Sequence, residues 1–511
     1  MASAGSGERL TREDLQGVFA LYSARRLPEA LAATRRLLAA HPDAPLLLNI
    51  LGLIHAGLGQ WHEAITSYRR VLQVNPVVAE THFHLGNALA ALGDRSEALG
   101  AFERAVQLKP EFIEAHSCIC RELERANRIE DLQQALLRAE GHCPGEHPLL
   151  QLRRAELARR KGDLAGARAL LAAPAGVPAD PDTRQESAYL MAELCDRLGD
   201  AGAAFQAAAE GNRLCAASYP AQRISAAPYL DQIGRLSQCF TADWVAGWRS
   251  VEVARERPDP VFLVGFPRSG TTLLDTLLRS HPAVSVAEEK PTVSKLEQAV
   301  SDLPGGYPDA LAALNADQLE HLRSVYFAEL AKHLDRADPA AVVVDKLPLN
   351  MVHAGLLQRV FPGSRFLFAL RHPCDSVLSC YLRAFDLNEG MVNFLQLADA
   401  AGLYDRTMRL WRQYREVLPL QVHAVRYEAL VNSLEEALIP TFDFLDLPWD
   451  DAVLDYASTA RQRGNIQTPS YHQVTETIYS RASGRWERYR EQLAPVLPVL
   501  GPWAEQLGYA V

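Results

Sequence analysis

The sequence predicts two architectures in one chain: an all-α helical solenoid, then an α/β domain built on a parallel sheet. Three observations predict this. Prolines at 42, 76, 110, 144 and 178 recur every 34 residues (76−42, 110−76 and so on), a period that marks stacked helical repeats. From residue 258 onward short apolar runs alternate with helical patterns, and polar residues gather where each run ends, as in a parallel α/β sheet. Between them Val261 to Thr272 reads VFLVGFPRSGTT, a buried-strand signal, a glycine turn and a helix start in immediate succession.

Composition bounds what such a chain can be. At 511 residues it exceeds one ordinary core, and two or three domains are expected. With 48% hydrophobic residues it should bury real cores. A net charge of -10 argues against general nucleic-acid binding, so any anion site must be local. Cysteines at 118, 120, 143, 195, 215, 239, 374 and 380 form no CxxC pair; the expectation is reduced, mostly buried thiols rather than disulfides or a metal framework. The start, MASAGSGERLTRED, lacks the basic and apolar regions of a signal peptide. No apolar run reaches the roughly 18 residues a membrane span needs. A soluble, cytoplasmic protein without a transmembrane segment is expected.

The repeat is justified unit by unit. Ala30, Ala64 and Ala98 keep step with the prolines, as do Gly52 and Gly86, Gly59 and Gly93, and Tyr68 and Phe102. Small residues let paired helices approach, and proline ends each unit. Residues 45–78 and 79–112 match most closely; 12–44 lacks the Leu-Gly pair, and 113–146 has Cys120 for Gly and Leu132 for Ala. Gly162-Asp163…Ala167 and Gly199-Asp200…Ala204 continue the pattern in degenerate form. These residues resemble the tetratricopeptide repeat, which implies a concave face for a peptide or partner protein; a scaffold that packs on the second domain or drives self-association, for instance as a homodimer, stays open beside it. His82 and His84 read as groove-lining or solvated rather than metal-binding. The expected boundaries are a repeat domain at 12–215, a helical linker at 216–257 with Tyr229, Ile233 and Leu236 in helical register, and a second domain at 258–511.

Within that second domain Gly265-x-x-x-x-Gly270 has P-loop spacing, but Thr271-Thr272 stands where Lys-Ser/Thr should follow. The loop should hold a phosphate on helix N-terminal N–H groups without a lysine. Val284 to Val286 reads as the next strand and delivers Glu288 and Glu289. Strand 341–344 ends in Asp345-Lys346, strand 365–370 in Arg371-His372, with Ser379 and Arg383 on the helix after it, and strand 420–425 in Arg426-Tyr427-Glu428. Ligands of parallel sheets bind at that edge.

In order along the chain, PRSGTTLL at 267–274, Glu288-Glu289, Asp345-Lys346, FLFALR at 366–371 with Ser379 and Arg383, and SYHQV from Ser470 followed by Gly484-Arg485-Trp486 resemble the sulfotransferase family, in detail its protein-tyrosine sulfotransferase branch. The resemblance covers roughly 258–490, and a tetratricopeptide array ahead of such a domain resembles bacterial members of the group. It implies 3′-phosphoadenosine 5′-phosphosulfate as donor and no metal, because arginine and lysine supply the charge that Mg²⁺ supplies to kinases. By residue match, Ser269, Gly270, Thr271 and Thr272 would hold the 5′-phosphate, with Arg268 beside the sulfuryl group. Arg371 and Ser379, eight residues apart, would clamp the 3′-phosphate, Arg383 would complete that clamp, and Tyr427 and Arg485 would touch the nucleotide. Glu289, 21 residues past Arg268, matches the general base, Lys346 the group that stabilises the leaving oxygen, and Ser470 an assisting hydroxyl.

Alternatives stand beside each assignment. Glu288 and Glu289 could be a solvated pair, Lys346 a surface residue, and Arg371 an ion-pair partner of Asp375. His281 and His372 precede prolines and read as caps, yet with His353 they are the alternatives to Glu289, since small-molecule sulfotransferases use a histidine base. Lys290-Pro291 departs from the tyrosine-sulfating pattern, and those enzymes are secretory, membrane-anchored and disulfide-containing. The acceptor hydroxyl stays open between peptide or protein tyrosine, glycan, lipid and small phenol. A Mg²⁺-dependent phosphotransferase and a tetratricopeptide adaptor with an inactive nucleotide-binding domain are the competing functions.

Overall fold

The computed structural model describes residues 10–143, 145–174, 177–251, 257–334, 342–462 and 483–510. They fall into two compact units, Met1–Thr183 and Arg184–Val511.

In the first unit the 34-residue period becomes helix pairs. Helices Pro45–Gly57, Ala79–Leu92 and Ile113–Arg125 start 34 residues apart, and so do Leu27–Ala40, Trp61–Val74, Arg95–Leu108 and Ile129–His142. The second helix of a pair stops two residues before Pro42, Pro76 or Pro110, because proline has no N–H to continue the ladder. Tyr68 and Phe102 are buried against Gly52 and Gly86, and a Cβ on Gly86 would lie 2.6 Å from the Phe102 ring. The invariant spacing of glycine and aromatic is therefore one contact repeated. His82 Nε2 donates to the Pro76 carbonyl at 3.0 Å, as His116 Nε2 does to that of Pro110 at 2.8 Å, and His84 stacks on Tyr68. Both histidines singled out in the sequence have structural contacts.

The second unit is organised on five parallel strands in the order β2-β3-β1-β4-β5: β1 Val261–Gly265, β2 Val284–Glu288, β3 Val342–Lys346, β4 Arg365–Leu370 and β5 Gln421–Arg426. Side chains alternate across the sheet, so Phe262, Val264, Phe366 and Phe368 join one core and Leu263, Val344 and Leu367 the other. From β1 the chain proceeds to one side of the sheet, from β4 to the other. The crevice where such connections diverge is the favoured ligand site of an open α/β sheet, and here it opens between the loops at 265–270 and 371–373.

The compact units divide at a different place from the domains expected in the sequence. The compact division falls after Thr183, not at 215: Ala192, Cys195, Ala204 and Ala208 belong to the core that holds Phe262 and Phe366. Of the segment 216–257 expected as a helical linker, the helix Ala227–Cys239 packs into the second unit. Ile233, Leu236 and Phe240 are buried in that same core, and the Phe240 ring meets Tyr414 edge-on at 4.9 Å. The helical period was legible there, but the face it buries was not. The eight cysteines are free thiols, six of them buried. Among the described residues no helix is long and apolar enough to cross a membrane.

Candidate functional site

The loop after β1 is shaped by backbone conformations that few residues tolerate. Arg268 has φ 68°, and Gly270 has φ 100° and caps the helix Thr271–Ser280. Glycine is required at 270 twice over: φ lies in the left-handed region, and a Cβ would lie 2.7 Å from the Tyr427 ring. Thr271 and Thr272 are buried at the helix start. Ser269 is buried as well, and its Oγ has no hydrogen-bond partner among the described residues. A buried hydroxyl left unpaired costs about 1–3 kcal/mol; beside a helix N-terminus it is an anion's natural contact.

Guanidinium groups surround this loop. Arg371, the first residue after β4, donates from Nη1 to the Arg268 carbonyl at 3.1 Å, lies over the Tyr427 ring at 4.7 Å and stands 3.9 Å from Asp375. The ion pair with Asp375 and the place beside the loop are thus both real. Arg268 Nε donates to Ser379 Oγ at 3.1 Å, which joins the residue matched to the sulfuryl group to one matched to the 3′-phosphate. Arg383 donates to Glu193 at 2.9 Å. Arg485 is held by Asp196, and Asp375 accepts from the N–H groups of Gly484 and Trp486 at 2.9 and 2.7 Å. Burial, followed by repulsion from Arg383, Arg371 and Arg485, pushes the Arg268 pKa down to about 9. At neutral pH it stays a cation among cations.

At the ends of β2 and β3 the balance is different. Lys346 is fully buried and its Nζ donates to Glu289 at 2.8 Å and to Glu288 at 3.1 Å. Burial works against its charge, but Glu289, Glu288 and Asp275 outweigh it and raise its pKa. Glu289 adopts φ 51°, its N–H donates to the Lys346 carbonyl at 2.7 Å, and its side chain is 36% exposed. Lys346 is therefore no surface residue, and the two glutamates are no solvated pair. On the opposite face of β3 the buried Asp345 accepts from Thr292 at 2.6 Å and Tyr326 at 2.8 Å, while its Oδ1 has no hydrogen-bond partner among the described residues. Burial pushes its pKa up to about 6 against those two hydrogen bonds.

The histidine alternatives are occupied. His281 Nδ1 accepts from Ala283 N–H, so Nε2 carries the proton to the Pro448 carbonyl; His372 Nδ1 accepts from Cys374 N–H and Nε2 bonds Ala510. Each acts as a cap. His353 contacts Tyr307 and Glu297, and burial lowers its pKa. Ser470 and its SYHQV motif lie outside the described residues. Glu193, Asp196 and Asp275 were not singled out in the sequence. Acids at i and i+3 in a helical stretch carry no signal until their arginine partners are known. Among the described residues no group of three or more His, Cys, Asp or Glu is placed to hold a metal ion.

Known proteins share both parts. The model of the sulfotransferase family matches residues 260–451, and that of the tetratricopeptide repeat matches 20–61 and 51–111. A protein of Aquifex aeolicus (strain VF5) is 28% identical over 332 residues, 63% of this chain and 42% of that protein. The protein-tyrosine sulfotransferase of Drosophila melanogaster is 27% identical over 310 residues, 54% of this chain and 58% of the relative. Protein-tyrosine sulfotransferase 2 of Gallus gallus is 28% identical over 274 residues, 49% and 71% of the two chains. The chain thus spans about half the length of the first two. Residues 260–451 form a domain of the sulfotransferase family, preceded in the same chain by tetratricopeptide repeats.

Proposed function

We propose that the second unit transfers a sulfuryl group from 3′-phosphoadenosine 5′-phosphosulfate to an acceptor hydroxyl. The observation that carries this reading is the convergence of Arg371, Arg383 and Arg485 on Arg268, beside a loop whose Ser269 hydroxyl is buried and unpaired. A donor with two anionic ends carries charge opposite to that of these four guanidiniums. Ser269 to Thr272 would bind the 5′-phosphate, and Arg371, Ser379 and Arg383 the 3′-phosphate, with Tyr427 and Arg485 against the nucleotide. In the transfer the acceptor oxygen bonds to sulfur, and the bond from sulfur to the 5′-phosphate oxygen breaks with its electron pair on the phosphate. Glu289 takes the acceptor proton, its partial exposure leaving the carboxylate within reach of a substrate. Lys346 and Arg268 stabilise the developing negative charge, with Ser470 in the assisting place. The products are a sulfate ester and adenosine 3′,5′-bisphosphate.

The acceptor in this reading is a peptide or protein hydroxyl, recruited by the tetratricopeptide repeats. Its support is the presence of the repeats together with the tyrosine specificity in the names of the fly and chicken relatives. Thermal shift tests the donor: the bisphosphate at 100 times its dissociation constant should stabilise the protein by about 2.7 kcal/mol. A shift with Mg-ATP and none with the bisphosphate would turn the reading towards a phosphotransferase.

A further inference from the structure

The arginine end of the site is held from outside the sulfotransferase-matched segment. The helix Pro181–Arg197 ends well before residue 260, where that match begins. Asp196 Oδ2 accepts from Arg485 Nη1 at 3.1 Å, and Oδ1 accepts from the Tyr489 hydroxyl at 2.7 Å. Three residues earlier, on the same helix face, Glu193 accepts from Arg383 at 2.9 Å. Arg485 is only 8% exposed, yet its Nε and Nη2 have no hydrogen-bond partner among the described residues. Those two N–H groups share one edge of the guanidinium plane, the edge that grips two oxygens of a single phosphate or carboxylate. Asp196 takes the remaining nitrogen and leaves that edge open.

We propose that the helix Pro181–Arg197 is part of the donor site. Asp196 and Glu193 are positioning residues that turn Arg485 and Arg383 towards the 3′-phosphate. The argument rests on the sulfotransferase reading above and adds to it a requirement: recognition of the second phosphate depends on residues upstream of the family-matched domain. Two roles are physically possible for carboxylates so placed, and they have opposite signs. As orienting partners they keep a buried guanidinium in one rotamer, and removing them weakens anion binding. As competitors for the arginines they would weaken it themselves, and removing them would tighten it. Asp196 bonds only one nitrogen of Arg485 and is itself fixed by Tyr489, which is the geometry of an orienting partner.

The test uses the full chain with Asp196→Asn, which keeps the shape of the side chain and loses its charge. Calorimetric titration with adenosine 3′,5′-bisphosphate should show affinity falling about ten-fold, or 1.4 kcal/mol, while affinity for adenosine 5′-phosphate changes by less than about three-fold. A general loss of structure would lower both together and would overturn the proposal, as would unchanged or tighter bisphosphate binding. Glu193→Gln, whose partner Arg383 is 23% exposed and so less tied to folding, should shift the same ratio in the same direction; no shift there overturns the role of Glu193 and of the helix. Wild-type protein that binds neither nucleotide refutes the donor assignment and this proposal with it. Wild-type binding with unaffected variants refutes the proposal alone.

Discussion

Lys346, at the end of β3, and Arg268, in the loop after the neighbouring β1, are cations at the same sheet edge, and they are treated in opposite ways. Lys346 has Glu289 at 2.8 Å and Glu288 at 3.1 Å, and its pKa rises. Arg268 is partly exposed and faces three further guanidiniums, and desolvation together with their repulsion lowers its pKa to about 9. One end of the site neutralises its own charge, so its geometry is set before any substrate arrives. At the other, Glu193, Asp196 and Asp375 restrain individual arginines, yet the repulsion on Arg268 persists. Guanidiniums gathered at one place favour an anion beside them. On the proposed reading, the contrast separates a proton-handling end from a donor-binding end.

The largest way to break that division is Glu289→Gln. It should lower turnover by roughly 10²–10⁴-fold and leave bisphosphate affinity nearly unchanged in the same preparation; comparable turnover would move the base elsewhere. Next comes Arg371→Ala, which removes charged hydrogen-bonding capacity of about 1.5–3 kcal/mol. Titration should show bisphosphate affinity reduced accordingly, with Arg371→Lys restoring only part, because an ammonium cannot replace a bidentate fork. If the lysine variant binds like wild type, the arginine end works through net charge alone.

A smaller effect concerns the acid beneath the proton-handling end. Asp345 titrates near pH 6 in the folded protein and near pH 4 in an unfolded chain. Folding therefore disfavours its ionised form. The cost is absent below about pH 4, grows as pH rises to 6 and is complete above it. Asp345→Asn keeps a carbonyl oxygen for Thr292 and Tyr326 and removes the charge, so urea unfolding should show about 1–3 kcal/mol of added stability at pH 8 and almost none at pH 4. Equal gains at both values would show that titration of Asp345 is not the cause. Lys346 contributes with the other sign: its pKa lies above its ordinary 10.5, so its ion pairs support the fold fully at lower pH and are lost only as pH climbs through that raised value.

How far the residues announce this arrangement depends on the distance between partners. Repeats were legible because Gly52 and Tyr68, or Gly86 and Phe102, recur at one spacing. The strands were legible as apolar runs, to within two residues at their ends, and each delivers its polar residue at the expected edge. Glu289 and Lys346 could be named, but not that Lys346 is wholly buried between two glutamates. The contact between Asp196 and Arg485 spans 289 residues of chain and has no local signature. Ile233 and Leu236 were read only as a helical period for a related reason: their stretch has no repeat, and only the core they share with Phe262 and Phe366 explains why they are apolar.

Among the described residues that are not glycine, Arg268 and Glu289 are two of five with positive φ. A left-handed backbone costs such residues about 1–2 kcal/mol, and glycine would relieve most of it, less what it adds to the entropy of the unfolded chain. Anyone selecting hardier versions of this protein by heat alone would be drawn to Arg268→Gly and Glu289→Gly. Those winners would have discarded one group from each end of the site, and would survive as well-folded proteins without the base and the cation that the proposed transfer requires.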